Sequence, residues 1–103
     1  MVNTIARHIV TTPNICFGKP RIAGHRITVA DVAIMHLRMG LSLEEIAGKY
    51  KLDPAAVYAA MAYYLDHREE IEKRIAKDAA FVAALQRRSR SPRRTRIQTV
   101  KNG

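Results

Sequence analysis

Residues 28–54 read TVADVAIMHLRMGLSLEEIAGKYKLDP, and three helix starts stand in that one stretch. Thr28-Val29-Ala30-Asp31 and Ser42-Leu43-Glu44-Glu45 each place a hydroxyl three residues before a carboxylate. In that pattern the hydroxyl accepts from a free N–H of the first turn while the carboxylate reaches back to the cap. Asp53-Pro54 is the third start, an acidic cap followed by proline at the first helical position. Gly40 suits the left-handed position that ends a helix, so the first helix runs through Val32 and Leu37 and stops there.

The apolar spacing agrees. Leu43, Ile46, Ala47 and Tyr50 fall at i, i+3, i+4 and i+7, and Val57, Met61, Tyr64 and Leu65 form the expected buried stripe of the third helix. Helices of roughly 11, 8 and 13 residues follow one another. Gly40-Leu41 and Lys51-Leu52 are short enough turns to make neighbouring helices cross sharply. The arrangement predicted for residues 29–67 is a compact trihelical helix-turn-helix unit, with a looser helical hairpin as the alternative.

On the N-terminal side, residues 1–28 read as extended and turn-rich. His8-Ile9-Val10-Thr11-Thr12 is β-prone and ends at Pro13-Asn14, and Ile22 and Ile27 flank Gly24 as in a small hairpin. Strands this short must pack on the helices or on another chain. On the C-terminal side a fourth helix is predicted from about Asp66, so that residues 68–86 form a C-terminal helix. Ile71, Ile75, Ala79, Val82 and Leu85 make its apolar stripe. The distal part, around Phe81, Val82 and Leu85, either folds back on the trihelical unit or contacts another chain. Residues 87–103 are Arg/Ser/Pro-rich, lack periodicity and are expected to be disordered when free. The fold class is therefore mainly α, with short N-terminal strands and a basic tail.

Charge follows the same division. The 103 residues carry 18 Lys and Arg against 9 Asp and Glu, a formal net charge of +9. Every acid lies before position 86, whereas Arg87, Arg88, Arg90, Arg93, Arg94, Arg96 and Lys101 follow it. A near-neutral module thus ends in a cationic extension suited to an anionic partner. A chain this short holds one small domain and excludes a two-domain enzyme with an interdomain cleft. The lone Cys16 excludes an internal disulfide, and no run reaches the ~18 apolar residues of a membrane span. No leader is recognisable in residues 1–10, so a cytoplasmic protein is expected.

The residues argue against catalysis. His8, His25, His36 and His67 are far apart and no metal-binding spacing links them to Cys16; no cofactor, metal or small-molecule substrate is expected. His36, in an apolar helix, reads as a hydrogen-bonded structural histidine, and Cys16 as a buried, inert thiol. Glu44-Glu45 and Glu69-Glu70 read as solvated helix starts. Nucleic-acid binding has more behind it, but not through the third helix: Asp53-Pro54-Ala55-Ala56-Val57-Tyr58 offers Tyr58 and little else to a base edge. Lys19, Arg21 and Arg26 are the candidate nucleic-acid contacts of the head, either as a ribbon paired across a dimer or as an ordinary solvated surface.

Gly18-Lys19-Pro20-Arg21-Ile22, Gly24-His25-Arg26-Ile27-Thr28-Val29, Gly40-Leu41-Ser42-Leu43-Glu44-Glu45-Ile46 and the stretch from Ala59 to Ile71 resemble, in order, the blocks of a family of small bacterial proteins known as domain of unknown function 433. The resemblance covers about residues 8–75; His25 stands where the family usually has threonine. It implies a homeodomain-like helical domain preceded by short strands. It further implies an antitoxin that dimerises, represses its own operon by binding operator DNA, and blocks a toxin resembling the PIN-type ribonucleases. On that reading Phe81, Val82 and Leu85 dock on the toxin, and one of Arg93, Arg94 or Arg96 enters its carboxylate-rich active site. The alternatives are a stand-alone DNA- or RNA-binding regulator gripping the backbone with its tail, and a dimeric adaptor that binds protein only.

Overall fold

A computed structural model describes residues 5–89 with their side chains and the helical bounds at either end. The elements run α1 (Thr4–His8), β1 (Ile9–Val10), a short 3-10 turn (Cys16–Gly18), β2 (Arg21–Ile22), α2 (Val29–Leu37), α3 (Leu43–Tyr50), α4 (Pro54–Asp66) and α5 (Arg68–Asn102). The chain divides into two units, Met1–Ile71 and Glu72–Gly103.

Both capping boxes form. The Thr28 hydroxyl accepts from the Asp31 N–H at 3.0 Å and the Asp31 carboxylate accepts from the Thr28 N–H at 3.0 Å. Ser42 and Glu45 do the same at 3.0 and 2.8 Å. Asp53 caps α4 by accepting from the Ala55 N–H at 3.0 Å. After α2, Gly40 takes φ +75° and the Leu41 N–H donates back to the Met35 carbonyl at 3.0 Å. His36 fastens the same turn: its Nδ1 donates to the Leu41 carbonyl at 2.7 Å, the structural role expected for it.

α4 is the centre of the first unit, packed by α1, α2, α3 and both strands. That position explains its composition. Ala56, Ala59 and Ala60 let neighbouring elements approach closely, while Val57, Met61 and Tyr64 fill the space between them. Against this lie Val29, Val32 and Ala33 of α2, Ile46 and Ala47 of α3, and Ile9 and Ile22 of the strands, all buried. Burying about a dozen such side chains is the main stabilising contribution available to a domain of this size.

Three sequence expectations need correction. Leu65 is 60% exposed, because the buried arc of α4 is centred on Ala60 and Leu65 lies beyond its edge, beside the exposed Tyr58. Thr4–His8 is helical, not extended; five residues are too few to show a period, and packing on α4 holds them. Asp66 belongs to α4, which closes at His67, where Nδ1 donates to the Tyr63 carbonyl at 3.1 Å and the rings stack at 4.1 Å.

The strands pair antiparallel, Ile9 opposite Ile22 and Val10 opposite Arg21, so the hairpin is formed over a long connection. The tight turn anticipated around Gly24 also exists: Ile22 and Ile27 face each other, the Ile22 N–H donating to the Ile27 carbonyl at 2.9 Å. α5 passes the expected stop at Gln86, since Arg87, Arg88 and Ser89 are helical and exposed. Arginine propagates a helix well even without an apolar face. The tail expected to be disordered over residues 87–103 falls within the bounds of α5 as far as Asn102, and its side chains from position 90 onward lie outside the described residues.

Candidate partner-binding surfaces

Arg21 changes character in the structure. It is buried, its Nη1 donating to the His25 carbonyl at 2.9 Å and the Ile22 carbonyl at 3.4 Å, and its Nη2 to Thr12 Oγ1 at 3.1 Å. A planar guanidinium fork suits this job, tying the 22–27 turn to the β1 connection with fixed donors. Arg21 therefore leaves the set of residues expected to meet a phosphate. Its Nε is buried without a hydrogen-bond partner. Arg26 is exposed and Lys19 half-buried, so the cationic cluster read from the sequence contracts to those two with the exposed His25.

Between the strands lies a feature the sequence hides. Cys16, Phe17 and Gly18 all take positive φ (52°, 57° and 74°). For the two non-glycine residues this left-handed conformation costs on the order of 1–2 kcal/mol each. The segment is held by Gly18 N–H to the Ile15 carbonyl, Lys19 N–H to the Cys16 carbonyl (both 3.0 Å) and the Cys16 thiol donating to the Arg26 carbonyl at 3.4 Å. The result presents Phe17 to solvent, 86% exposed. Only the glycine following Phe17 signals this turn in the sequence; nothing there says that a large apolar residue faces outward.

Close by, Ile27, Asp31, Ile34, Met35, Met39 and Tyr50 line an open pocket of about 330 Å³. Met39 and Leu37 are exposed at the end of α2.

The helix starts of the helix-turn-helix unit are acidic, while Lys49 and Lys51 are exposed at the turn between α3 and α4. Glu44 and Glu45 open α3, Asp53 caps α4, and the Tyr58 hydroxyl donates to the Glu44 carboxylate. That hydrogen bond holds the Glu44 carboxyl below the usual range and pushes the Tyr58 phenol above its own. Tyr58, the one base-reading candidate of α4, is thus paired with a carboxylate, and the start of α4 offers acceptors where DNA phosphates need donors.

In the second unit Phe81, Val82 and Leu85 are all exposed, and Arg74 Nε lies 3.8 Å from Asp78 Oδ1. Arg93, Arg94 and Arg96, the expected active-site probes, fall within the bounds of α5, and their side chains lie outside the described residues. Among the described residues no group of three or more His, Cys, Asp or Glu is placed to hold a metal ion, and no helix is long and apolar enough to cross a membrane.

No curated protein matches the chain. A crystal structure of a DUF433 member protein from Anabaena variabilis ATCC 29413, at 2.00 Å resolution, is similar to it. The two share 32% identity and a TM-score of 0.58 over 66% of this chain and 67% of that one. The family model "Protein of unknown function (DUF433)" matches residues 9–64, from β1 to the buried Tyr64 of α4. The match spans more than half of the sequence, and the chain belongs to the DUF433 family.

Proposed function

We propose that this protein is the antitoxin of a bacterial type II toxin–antitoxin module, acting in the cytoplasm and neutralising a PIN-like ribonuclease through α5 and its arginine-rich C-terminal part. The observation that carries this reading is the exposure of Phe81, Val82 and Leu85 on α5, directly before seven uncompensated cations. An exposed apolar cluster on a helix marks a docking face, and the helix-in-groove mode uses such anchors. Arginines entering a carboxylate cluster that holds Mg²⁺ or Mn²⁺ form bidentate pairs and exclude the metal.

Operator binding belongs to the same proposal, with the protein as a dimer. With Arg21 buried and the starts of α3 and α4 acidic, phosphate contact rests on the arginine-rich segment more than on the head. The second reading, a stand-alone nucleic-acid binder, is favoured by that same charge.

Co-expression with the product of the adjacent reading frame tests the proposal. A nuclease-like partner should co-purify and be inhibited, and a chain ending at Leu85 should lose the inhibition. If the shortened chain inhibits with full affinity, the arginine mechanism is wrong. If no partner binds, while DNA affinity falls with salt at a log–log slope near about −5, the chain is a stand-alone nucleic-acid binder.

A further inference from the structure

We infer that Phe17 of one copy seats in the pocket lined by Ile27, Ile34, Met35, Met39 and Tyr50 of a second copy, and that this reciprocal contact is the dimer interface of the head. The inference rests on the dimeric reading above and names its surface.

Four observations lead there. The first is backbone conformation. Two adjacent non-glycine residues held left-handed are an unfavourable way to build a loop unless the side chain they display has a use, and the one displayed is Phe17, 86% exposed. The second is size. A cavity of about 150 Å³ accepts a benzene ring, so an open pocket of about 330 Å³ admits a phenylalanine with its backbone at the mouth.

The third is placement. The Cys16 thiol donates to the Arg26 carbonyl, and the next residue, Ile27, lines the pocket. The projecting ring and the receiving pocket are therefore neighbours on one chain. A two-fold axis between them lets each copy give a ring and receive one, the self-complementary arrangement of a symmetric dimer. A different partner would need only one of the two features.

The fourth is charge. Asp31 contributes to the pocket lining, and the exposed Arg26 stands at the foot of the Phe17 loop. In the reciprocal contact the guanidinium of one copy approaches the carboxylate of the other on each side, which favours this register over a slipped one. Arg26 is then withdrawn from any phosphate role.

Site-specific incorporation of a photoreactive benzoylphenylalanine at position 17 of the full chain, in a mixture of ¹⁵N-labelled and unlabelled protein, tests the seat. Mixed-isotope cross-links to Ile34, Met35 or Met39 are expected. Cross-links confined to one copy, or directed elsewhere, overturn the inference. Sedimentation equilibrium supplies an independent readout on Phe17→Ser and Met39→Lys, both at exposed positions whose substitution leaves the fold intact. Each should weaken self-association by about tenfold or more, the scale of losing an aromatic anchor or burying a charge in its pocket. A dimer unchanged by both variants refutes this seat while leaving the dimeric reading standing. A wild-type chain that stays monomeric at the highest concentration reached refutes both.

Discussion

The Tyr58 hydroxyl donates to the Glu44 carboxylate and so joins α4 to α3 across the turn between them. Both groups are solvent-exposed, and the bond lowers the carboxyl's pKa while raising the phenol's. A lowered folded-state pKa stabilises the fold above the unfolded carboxyl pKa, and that contribution disappears as pH falls through the lowered value. A raised phenol pKa stabilises below the unfolded phenol pKa and is lost as pH rises through the raised value. Tyr58→Phe should therefore be slightly less stable than wild type at neutral pH, the difference closing in acid and again in strong alkali. Thermal unfolding of the two proteins across pH checks this; a difference independent of pH would mean the bond contributes nothing.

Arg21 makes the larger structural contribution. Arg21→Ala removes the donors to Thr12, Ile22 and His25 and should cost about 2–3 kcal/mol. Arg21→Lys keeps the charge but not the fork and should recover less than half of that loss. Urea unfolding measures both. If the alanine variant is as stable as wild type, the buried guanidinium is not what fixes the turn.

The two capping boxes should each be worth about 1 kcal/mol, read as the loss on Thr28→Ala or Ser42→Ala. Sharing no partner, they should add to about 2 kcal/mol in the double variant. Chemical denaturation with unchanged dependence on denaturant is the check.

Ile46 and Leu65 separate true core from apparent stripe. Ile46 is fully buried, so Ile46→Ala should cost about 2–5 kcal/mol. Leu65→Ala should stay within about 0.5 kcal/mol, as at exposed sites generally. Equal losses at the two positions would place Leu65 in a contact that the isolated fold does not make.

These contrasts show what was legible in the sequence. Thr28, Ser42 and Asp53 were readable as caps because capping is a local agreement between a side chain and the N–H groups two or three residues on. The spacing of Ile46, Ala47 and Val57 was readable for the same reason. What escaped depends on contacts distant in sequence. Arg21 looks like any surface cation until residues 12, 22 and 25 supply acceptors around it. Leu65 fits a four-residue stripe until the neighbours of α4 shift the buried arc toward Ala60. Phe17 needs a left-handed backbone that only the pinning of residues 15–19 and the carbonyl of Arg26 makes tolerable. The candidate docking residues of α5 were found because they extend an apolar period past the point where a small head can use it.

The central claim is that α5 captures a partner through its exposed apolar side chains, and inhibition of the co-expressed nuclease is its most direct measure. With Phe81, Val82 and Leu85 all replaced by serine, the concentration needed for half-inhibition should rise by about a hundredfold or more, as expected from losing three anchors of about 1 kcal/mol or more each. Stability of the head should not change. An unaltered inhibition curve for that triple variant would contradict the account.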